Sequence, residues 1–407
     1  MVTDPLYFPS TLRGSVDLPG SKSLSNRALI IAALAGGDYT LQGLSQAEDT
    51  RLLAQALHTA AAQVDIRGAG TAMRFLTAYY AAGSGTHCLT GSERMKQRPI
   101  GPLVEALRSL GADIDYTEKE GFPPLRIRGR QLRGGCLHLS GSVSSQYVSA
   151  LLLIAPYLSS MLRLRLEGTI VSRPYINMTL ALMRHFGAQA GWEAQDTLVV
   201  APAPYQSVAR YRVETDWSSA ACWYEAVALA PDPAARLLLR GLREETWQGD
   251  ARLQDYFLPL GVKTTFCAEG AVLEKTEMQT GGIEFDLSGQ PDLAQSIVVT
   301  CAALQRPFRF TGLQTLRIKE TDRLAALVRE LDKLGITVAV ENDESIRSVT
   351  YASAPARLQP VATYEDHRMA LAFAPCALRF PGLQIAEPAV VNKSYPGFWE
   401  ALQSLMK

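Results

Sequence analysis

The chain has 407 residues, 47% of them hydrophobic and 20% charged, the balance of a soluble globular protein with room for two or three domains. Forty Lys and Arg offset forty Asp and Glu, which excludes a general nucleic-acid or membrane-surface binder, because either needs a basic excess. Any anion must therefore be caught by a local cluster. The opening "MVTDPLYFPSTLRGSV" lacks the basic start and apolar run of a signal peptide, and no stretch reaches the roughly 18 consecutive apolar residues of a membrane span. Cys88, Cys136, Cys222, Cys267, Cys301 and Cys376 are scattered, with no C-x-x-C. They are expected to be reduced core thiols of a cytoplasmic protein.

Taken along the chain, two kinds of helix alternate. The first kind opens with small polar residues and runs on apolar nearly all round, which predicts burial. It begins with "PGSKSLSNRALIIAALAGG" from 19 and recurs as "GAGTAMRFLTAYYAAG" from 68, "GSVSSQYVSALLLIAPYL" from 141, "DWSSAACWYEAVALA" from 216, "GQPDLAQSIVVTCAAL" from 289 and "YEDHRMALAFAPCAL" from 364. The second kind is amphipathic and ends in a glycine followed by a strand-like tail: "GPLVEALRSLGADIDY", "TLALMRHFGAQAGW", "LQDYFLPLGVKTTF" and "LVRELDKLGITVAV". Their glycines, Gly111, Gly187, Gly261 and Gly335, recur about 75 residues apart and read as C-caps. "TRLLAQALHTAAAQVDI" and "FWEALQSLMK" look like variant first and last copies. Segments such as "RLRLEGTI", "LRIRGR", "TLVVA", "RLLLRG", "FRFTGL" and "TVAVEN" supply the strands. The pattern predicts six α/β units, each with one buried and one amphipathic helix.

Chemistry-bearing residues collect at the helix openings. Lys22, Ser23 and Arg27 start an otherwise apolar helix, where two cations are costly without an anion, and a helix N-terminus attracts one. Walker A spacing is absent, so this is not a nucleotide loop. Gly68 and Gly70 let backbone approach a ligand, although such glycines are also common packing. "GSERMKQRPIGP", with Arg94, Lys96 and Arg98, reads by itself as a solvated charged loop. Ser144, Ser145 and Gln146, then Ser172, Arg173 and Tyr175, offer donors at helix starts, where plain N-capping competes with phosphate binding. Asp292 alone reads as a cap. Lys319, Glu320, Asp322 and Arg323 place more charge before a helix than capping requires. Asp366, His367 and Arg368 follow, and then Lys393. There is no nucleophile elbow, no metal-ligand spacing among the five histidines and no dinucleotide fingerprint. The inventory suits a substrate rich in phosphate and carboxylate, with general acid/base chemistry at Asp292 and Glu320.

"PGSKSLSNRALIIAALA", "AGTAMR", "LTGSERMKQRPIGPLVEALRSLGA", "GSVSSQY", "KETDRLAAL" and "DHRMALAF", in this order from about residue 10 to the C-terminus, resemble the EPSP synthase family of enolpyruvyl transferases. The resemblance implies an α/β fold. It is a two-domain inside-out α/β barrel of six βαβαββ repeats, three per domain, with buried parallel helices. The domains are 1–19 with 215–407, and 20–214, with hinge crossings near 19–20 and 214–215. It implies transfer of the enolpyruvyl group of phosphoenolpyruvate to the 5-hydroxyl of shikimate 3-phosphate in the shikimate pathway, with no cofactor and no metal. Shikimate 3-phosphate is expected to meet Lys22, Ser23, Arg27, Ser144, Ser145, Gln146, Ser172, Tyr175, Asp292 and Lys319. Phosphoenolpyruvate is expected to meet Lys22, Gly70, Arg98, Gln146, Arg323, Arg368 and Lys393. Asp292 and Glu320 would move protons, assisted by Lys22. Contacts from both domains imply closure on ligand binding. A cytoplasmic monomer without nucleic-acid or membrane partners is the family-based expectation.

The chain departs from the family pattern at Gly68, where Asn is frequent, at Phe75, where Pro is frequent, and at Thr315, where Asn is frequent. The first two bear on glyphosate, the family inhibitor of the phosphoenolpyruvate site. The segment between "AAAQVDI" and "GAGT" is short, so the second unit is expected to lack some strand structure. The sister transferase acting on UDP-N-acetylglucosamine usually has Lys-Asn where this chain has Lys22-Ser23, and a reactive Cys in a loop that here reads "SERMKQRPIG". A non-catalytic phosphate-ligand binding protein on the same fold would not need both Asp292 and Glu320.

Overall fold

The structure, a computed structural model, describes residues 2–9, 11–36, 40–206 and 210–406. In chain order it runs β1 (Arg13–Asp17), α1 (Lys22–Ala35), β2 (Thr40–Gln42), α2 (Glu48–His58), β3 (Gln63–Asp65), α3 (Gly70–Ala82) and β4 (Thr86–Thr90). Then come the short α4 (Glu93–Lys96), α5 (Gly101–Ser109), β5 (Asp113–Tyr116), β6 (Leu125–Arg128), β7 (Gly135–Ser140), α6 (Ser145–Ile154), β8 (Leu162–Glu167), α7 (Arg173–His185), β9 (Ala190–Trp192) and β10 (Thr197–Val200). After β11 (Arg210–Arg212) follow α8 (Trp217–Leu229), β12 (Arg236–Arg240), α9 (Leu253–Phe257), β13 (Val262–Cys267), β14 (Gly270–Lys275), β15 (Ile283–Asp286), α10 (Ala294–Ala303) and β16 (Phe308–Thr311). The last elements are α11 (Arg323–Asp332), β17 (Ile336–Glu341), β18 (Ser345–Tyr351), α12 (His367–Phe373) and α13 (Phe398–Ser404).

Packing divides the chain into a split unit, Met1–Ser21 with Glu214–Lys407, and a continuous unit, Lys22–Val213. In the continuous unit α1, α3 and α6 pack on one another; in the split unit α8, α10 and α12 do. These are the six helices with polar openings, and their all-round apolar composition leaves no face for water. Eight successive residues of α1, Leu24 to Ile31, are buried, as are Trp217 and Ser219 to Leu229 of α8. The sheets lie outside this core. On β8, Leu162, Leu164 and Leu166 point inward while Arg163, Arg165 and Glu167 face out, the period-2 alternation of a half-buried strand.

Among the described residues, four four-stranded sheets share one connectivity, with orders β1-β12-β14-β13, β3-β4-β6-β5, β7-β8-β10-β9 and β15-β16-β18-β17. In each, the first pair is parallel and the rest antiparallel. Gly111 and Gly187 directly follow the C-caps of α5 and α7 with φ 97° and 84°, the left-handed cap that glycine adopts without penalty. Gly335 and Gly261 take the same conformation in turns beyond the C-caps Lys333 and Leu258 of α11 and α9 and do not cap them. At the two chain crossings the leading strands are exchanged. β1 precedes α1 of the continuous unit but pairs with β12 of the split unit, whereas β11 precedes α8 of the split unit but pairs with β2 of the continuous one.

Two expectations need correction. The sheet that lacks strands belongs to the first unit, around α1, β2 and α2, and not to the second. α2 ends at His58 and β3 begins at Gln63, so no residues remain for a hairpin, and β2 pairs with β11 alone among described strands. The cysteines are all free, but only Cys222, Cys301 and Cys376 are core thiols. Cys136 and Cys267 are exposed, because they occupy outward positions of β7 and β13. No helix of the described residues is long and apolar enough to cross a membrane.

Candidate active site

In the continuous unit the centre of the site is Arg27. It lies on α1, 3% exposed, because the helix around it is core. Its Nε donates to Thr179 Oγ1 at 2.7 Å, Nη2 to Ser149 Oγ at 3.1 Å and Nη1 to the Ser23 carbonyl at 2.9 Å. Phe75 lies beneath the guanidinium, 5.5 Å from ring centroid to Cζ. All these partners are neutral, and burial lowers the Arg27 pKa to about 10, offset in part by Tyr175. A buried guanidinium held by hydroxyls and a carbonyl is a place prepared for an anion.

The other openings of this unit bring further donors. Lys22 Nζ donates to Asp49 Oδ2 at 3.5 Å. Ser144 caps α6, accepting from the Gln146 amide at 3.3 Å, and the Gln146 side chain donates to Thr71 Oγ1 at 3.2 Å. Ser145 begins α6 beside it, half-buried. Ser172 precedes α7 in a left-handed conformation, φ 57°, and its hydroxyl makes no cap bond. Non-glycine residues held in this region carry strain that the surrounding structure must support, and Ser172 does not cap α7. Tyr175 follows on the first turn of α7, where its carbonyl accepts from Thr179 Oγ1 at 2.9 Å. Arg98 is buried, 5% exposed, and lies against Gly70. The segment read as a solvated loop is instead a short helix followed by a covered arginine. Arg74 and Tyr147 both donate to the Pro99 carbonyl and pin the chain just after Arg98.

In the split unit the centre is Arg323, 2% exposed at the start of α11. Asp322 takes the capping task, accepting from the Ala325 amide at 3.0 Å. Arg323 is thereby left to bind three carboxylates: Nη1 donates to Asp292 Oδ1 at 2.7 Å, Nη2 to Glu320 Oε2 at 2.9 Å and Nε to Asp366 Oδ2 at 2.7 Å. Burial works against this cation, but Asp366, Glu320 and Asp292 outweigh it and hold it charged. Asp292 also receives Lys319 at 3.4 Å and Arg368 at 3.7 Å, and Arg368 Nη1 donates to its carbonyl at 2.6 Å. Burial pushes the Asp292 carboxyl up. Lys319, Arg368 and Arg323 overcome this and hold it well below the usual carboxylate range. Asp292 is therefore not a cap: α10 begins without a side-chain cap bond. Lys393 Nζ donates to the Glu365 carbonyl at 2.8 Å. Among the described residues no group of three or more His, Cys, Asp or Glu could hold a metal ion.

Residues 6–63 and 57–402 match the family model described as EPSP synthase (3-phosphoshikimate 1-carboxyvinyltransferase). The chain is 52% identical over 399 residues to the 3-phosphoshikimate 1-carboxyvinyltransferase of Bacteroides fragilis strain YCH46, covering 98% of this chain and 96% of the relative. It is 36% identical to that of Sulfurovum sp. strain NBC37-1, covering 97% of each. The chain belongs to the EPSP synthase family. Its fold is also that of the EPSP synthase of Acinetobacter baumannii (TM-score 0.75, 22% identity, 99% of this chain and 97% of that one). The enolpyruvyl transferase NikO of Streptomyces tendae has the same fold (TM-score 0.71, 17% identity, 99% and 98%). The expected two-domain inside-out α/β fold and the enolpyruvyl-transferase class stand with the family.

Within this family member, sequence reasoning overlooked the residues that support the site. Ser149 and Thr179, which hold Arg27, lie four residues after Ser145 and Tyr175 on α6 and α7. A search at i+4 from each assigned residue finds both. Asp49, the partner of Lys22, and Arg74 carried no signal beyond their charge. Asp366 was noticed, but its grip on Arg323 depends on a contact 43 positions away.

Proposed function

We propose that this chain transfers the enolpyruvyl group of phosphoenolpyruvate to the 5-hydroxyl of shikimate 3-phosphate and releases phosphate. The observation that carries the reading is the pair of carboxylates, Asp292 and Glu320, gathered on one buried arginine with Lys319 and Arg368 beside them. We assign shikimate 3-phosphate to Lys22, Ser23, Arg27, Ser144, Ser145, Gln146, Ser172, Tyr175, Asp292 and Lys319. Phosphoenolpyruvate is assigned to Lys22, Gly70, Arg98, Gln146, Arg323, Arg368 and Lys393, where glyphosate would compete. The units Met1–Ser21 with Glu214–Lys407 and Lys22–Val213 are taken as the two domains. Six free cysteines, two of them exposed, suit a reducing compartment, and we infer a cytoplasmic enzyme.

In this reading Glu320 gives a proton to the methylene carbon of phosphoenolpyruvate as the 5-hydroxyl oxygen bonds to its neighbour. The hydroxyl proton passes to Asp292 or Lys22. The tetrahedral intermediate keeps its carboxylate and phosphate, which Arg and Lys hold electrostatically. The Glu320 carboxylate then takes a proton back from the methyl group as phosphate departs, which restores the enol ether. Asp292 is too acidic in the unliganded arrangement to be a strong proton acceptor. Anionic substrates that engage Lys319, Arg368 and Arg323 draw away the charges that keep it so, and its basicity rises when it is needed.

The test is phosphate release from phosphoenolpyruvate, measured with and without shikimate 3-phosphate. Release is expected only when shikimate 3-phosphate is present. Release with UDP-N-acetylglucosamine instead overturns the substrate assignment. No release with either favours a binding protein.

A further inference from the structure

Tyr364 and Glu365 are consecutive non-glycine residues in the left-handed region, φ 53° and 56°. Residues with a Cβ rarely adopt this conformation, and it persists only where the surroundings over-determine it. The pair immediately precedes Asp366, which caps α12 by accepting from the Arg368 amide at 2.9 Å and also takes the Nε of Arg323. The restraint comes from α11. Seven residues after Arg323, and so two turns along the same face, stands Glu330, whose side chain is fully buried. Its Oε1 accepts from the Tyr364 hydroxyl at 2.6 Å. Its Oε2 accepts from the Ala362 amide at 2.9 Å and from Lys333 Nζ at 2.6 Å. Lys333 Nζ donates in turn to the Pro360 carbonyl at 3.2 Å. One helix thus holds the turn at two points, Glu330 on Tyr364 and Arg323 on Asp366.

We propose that Glu330 is a positioning residue for the transfer reaction: with Tyr364 it clamps the strained turn so that α12 presents Asp366 to Arg323 and Arg368 to Asp292. The proposal rests on the assignment of Arg368 and Lys393 to phosphoenolpyruvate given above. A buried carboxylate is expensive to desolvate. Here its partners are Lys333, the residue that closes its own helix at the C-cap, and two groups of the 362–364 segment, so its work is directed at that segment. Relaxed, the turn would release the Glu365 carbonyl that Lys393 binds and rotate the start of α12. Displacements of an ångström in substrate-holding groups cost rates heavily.

The test compares full-length Glu330→Gln and Tyr364→Phe with the parent chain in the phosphate-release assay. Both variants should lower kcat/KM for phosphoenolpyruvate about tenfold or more, while the KM for shikimate 3-phosphate stays within about twofold. Adding Glu365→Gly to Glu330→Gln should recover about threefold or more of the loss, since glycine holds positive φ without strain. Parent-like kinetics in both single variants, a loss no greater than the loss of folded protein seen by circular dichroism, or no recovery in the double variant would overturn the clamp. An inactive parent chain overturns the proposed function instead. The clamp is then judged by amide hydrogen exchange over 361–369, where faster exchange in Glu330→Gln supports it and unchanged exchange overturns it.

Discussion

Arg98 lies so close to Gly70 that a Cβ built on the glycine would stand 2.6 Å from Nη1 and 2.8 Å from Nη2 of the guanidinium. Contacts below 3 Å force a shift, and the mobile partner here is the end of the arginine side chain rather than the helix. Gly70→Ala should therefore displace Arg98 without unfolding α3, whose first turn gains a better helix former. The expected result is a KM for phosphoenolpyruvate raised about tenfold, with melting temperature unchanged or higher. An unchanged KM would remove Arg98 from the substrate contacts.

Arg27 sets stability against function. Its cation is buried among neutral partners, so replacing it with an apolar side chain of similar length removes a desolvation cost along with the binding group. Arg27→Met is expected to leave the melting temperature within a few degrees of the parent, or above it, and to raise the KM for shikimate 3-phosphate about a hundredfold. Inorganic phosphate should stabilise the parent to heat and leave the variant unaffected. Equal stabilisation of both would place the anion elsewhere.

For Asp292 the sign of the pH effect follows from its depressed pKa. The ionised form is favoured by folding, so its contribution is present in full above the unfolded pKa of about 3.9 and fades as pH falls through the lower folded value. Asp292→Asn should be less stable than the parent by a constant amount from about pH 5 to pH 8, with the gap closing below about pH 4. Urea unfolding at several pH values measures this. Turnover should drop about a hundredfold or more, and undiminished turnover would exclude Asp292 from proton transfer.

Asp366 is wholly buried and shared between the α12 cap and Arg323. Asp366→Ala leaves a buried guanidinium short of a partner and a helix without its cap, a loss of about 3–5 kcal/mol. Chemical denaturation should show it as a lower midpoint at unchanged m-value. A loss below about 1 kcal/mol would mean that Asp292 and Glu320 alone satisfy Arg323.

The repeat, the buried helices and the glycines after the amphipathic ones were legible because each is a local pattern: a period, an apolar run, a Gly after the last turn. Lys22, Arg27 and Arg323 stood out because charge at the mouth of an apolar helix is costly and so demands a reason, whereas Asp292 by itself read as a cap. Contacts that only the fold creates were hidden. Thr179 and Ser149 read as ordinary helix residues until α1, α6 and α7 pack together. Glu330 reads as one charge among several on the amphipathic face of α11, and nothing local shows that it is buried under the 360–364 segment. The short segment before "GAGT" pointed to the wrong unit: the second unit's sheet is complete and the first unit's is not, because strand pairing rather than sequence adjacency decides which sheet loses strands.

The exchange of leading strands orders events during synthesis. All strands of the continuous unit lie between its own ends, so it can complete its sheets once Arg212 has emerged. β1 emerges first but has no partner until Arg236 to Arg240 arrive, more than two hundred positions later. At translation speeds of about 5–20 residues per second, residues 13–17 wait roughly 10 to 45 seconds as an unpaired edge. The outward side chains of that strand, among them Arg13 and Asp17, are the charged kind that keep such an edge from joining a neighbouring chain.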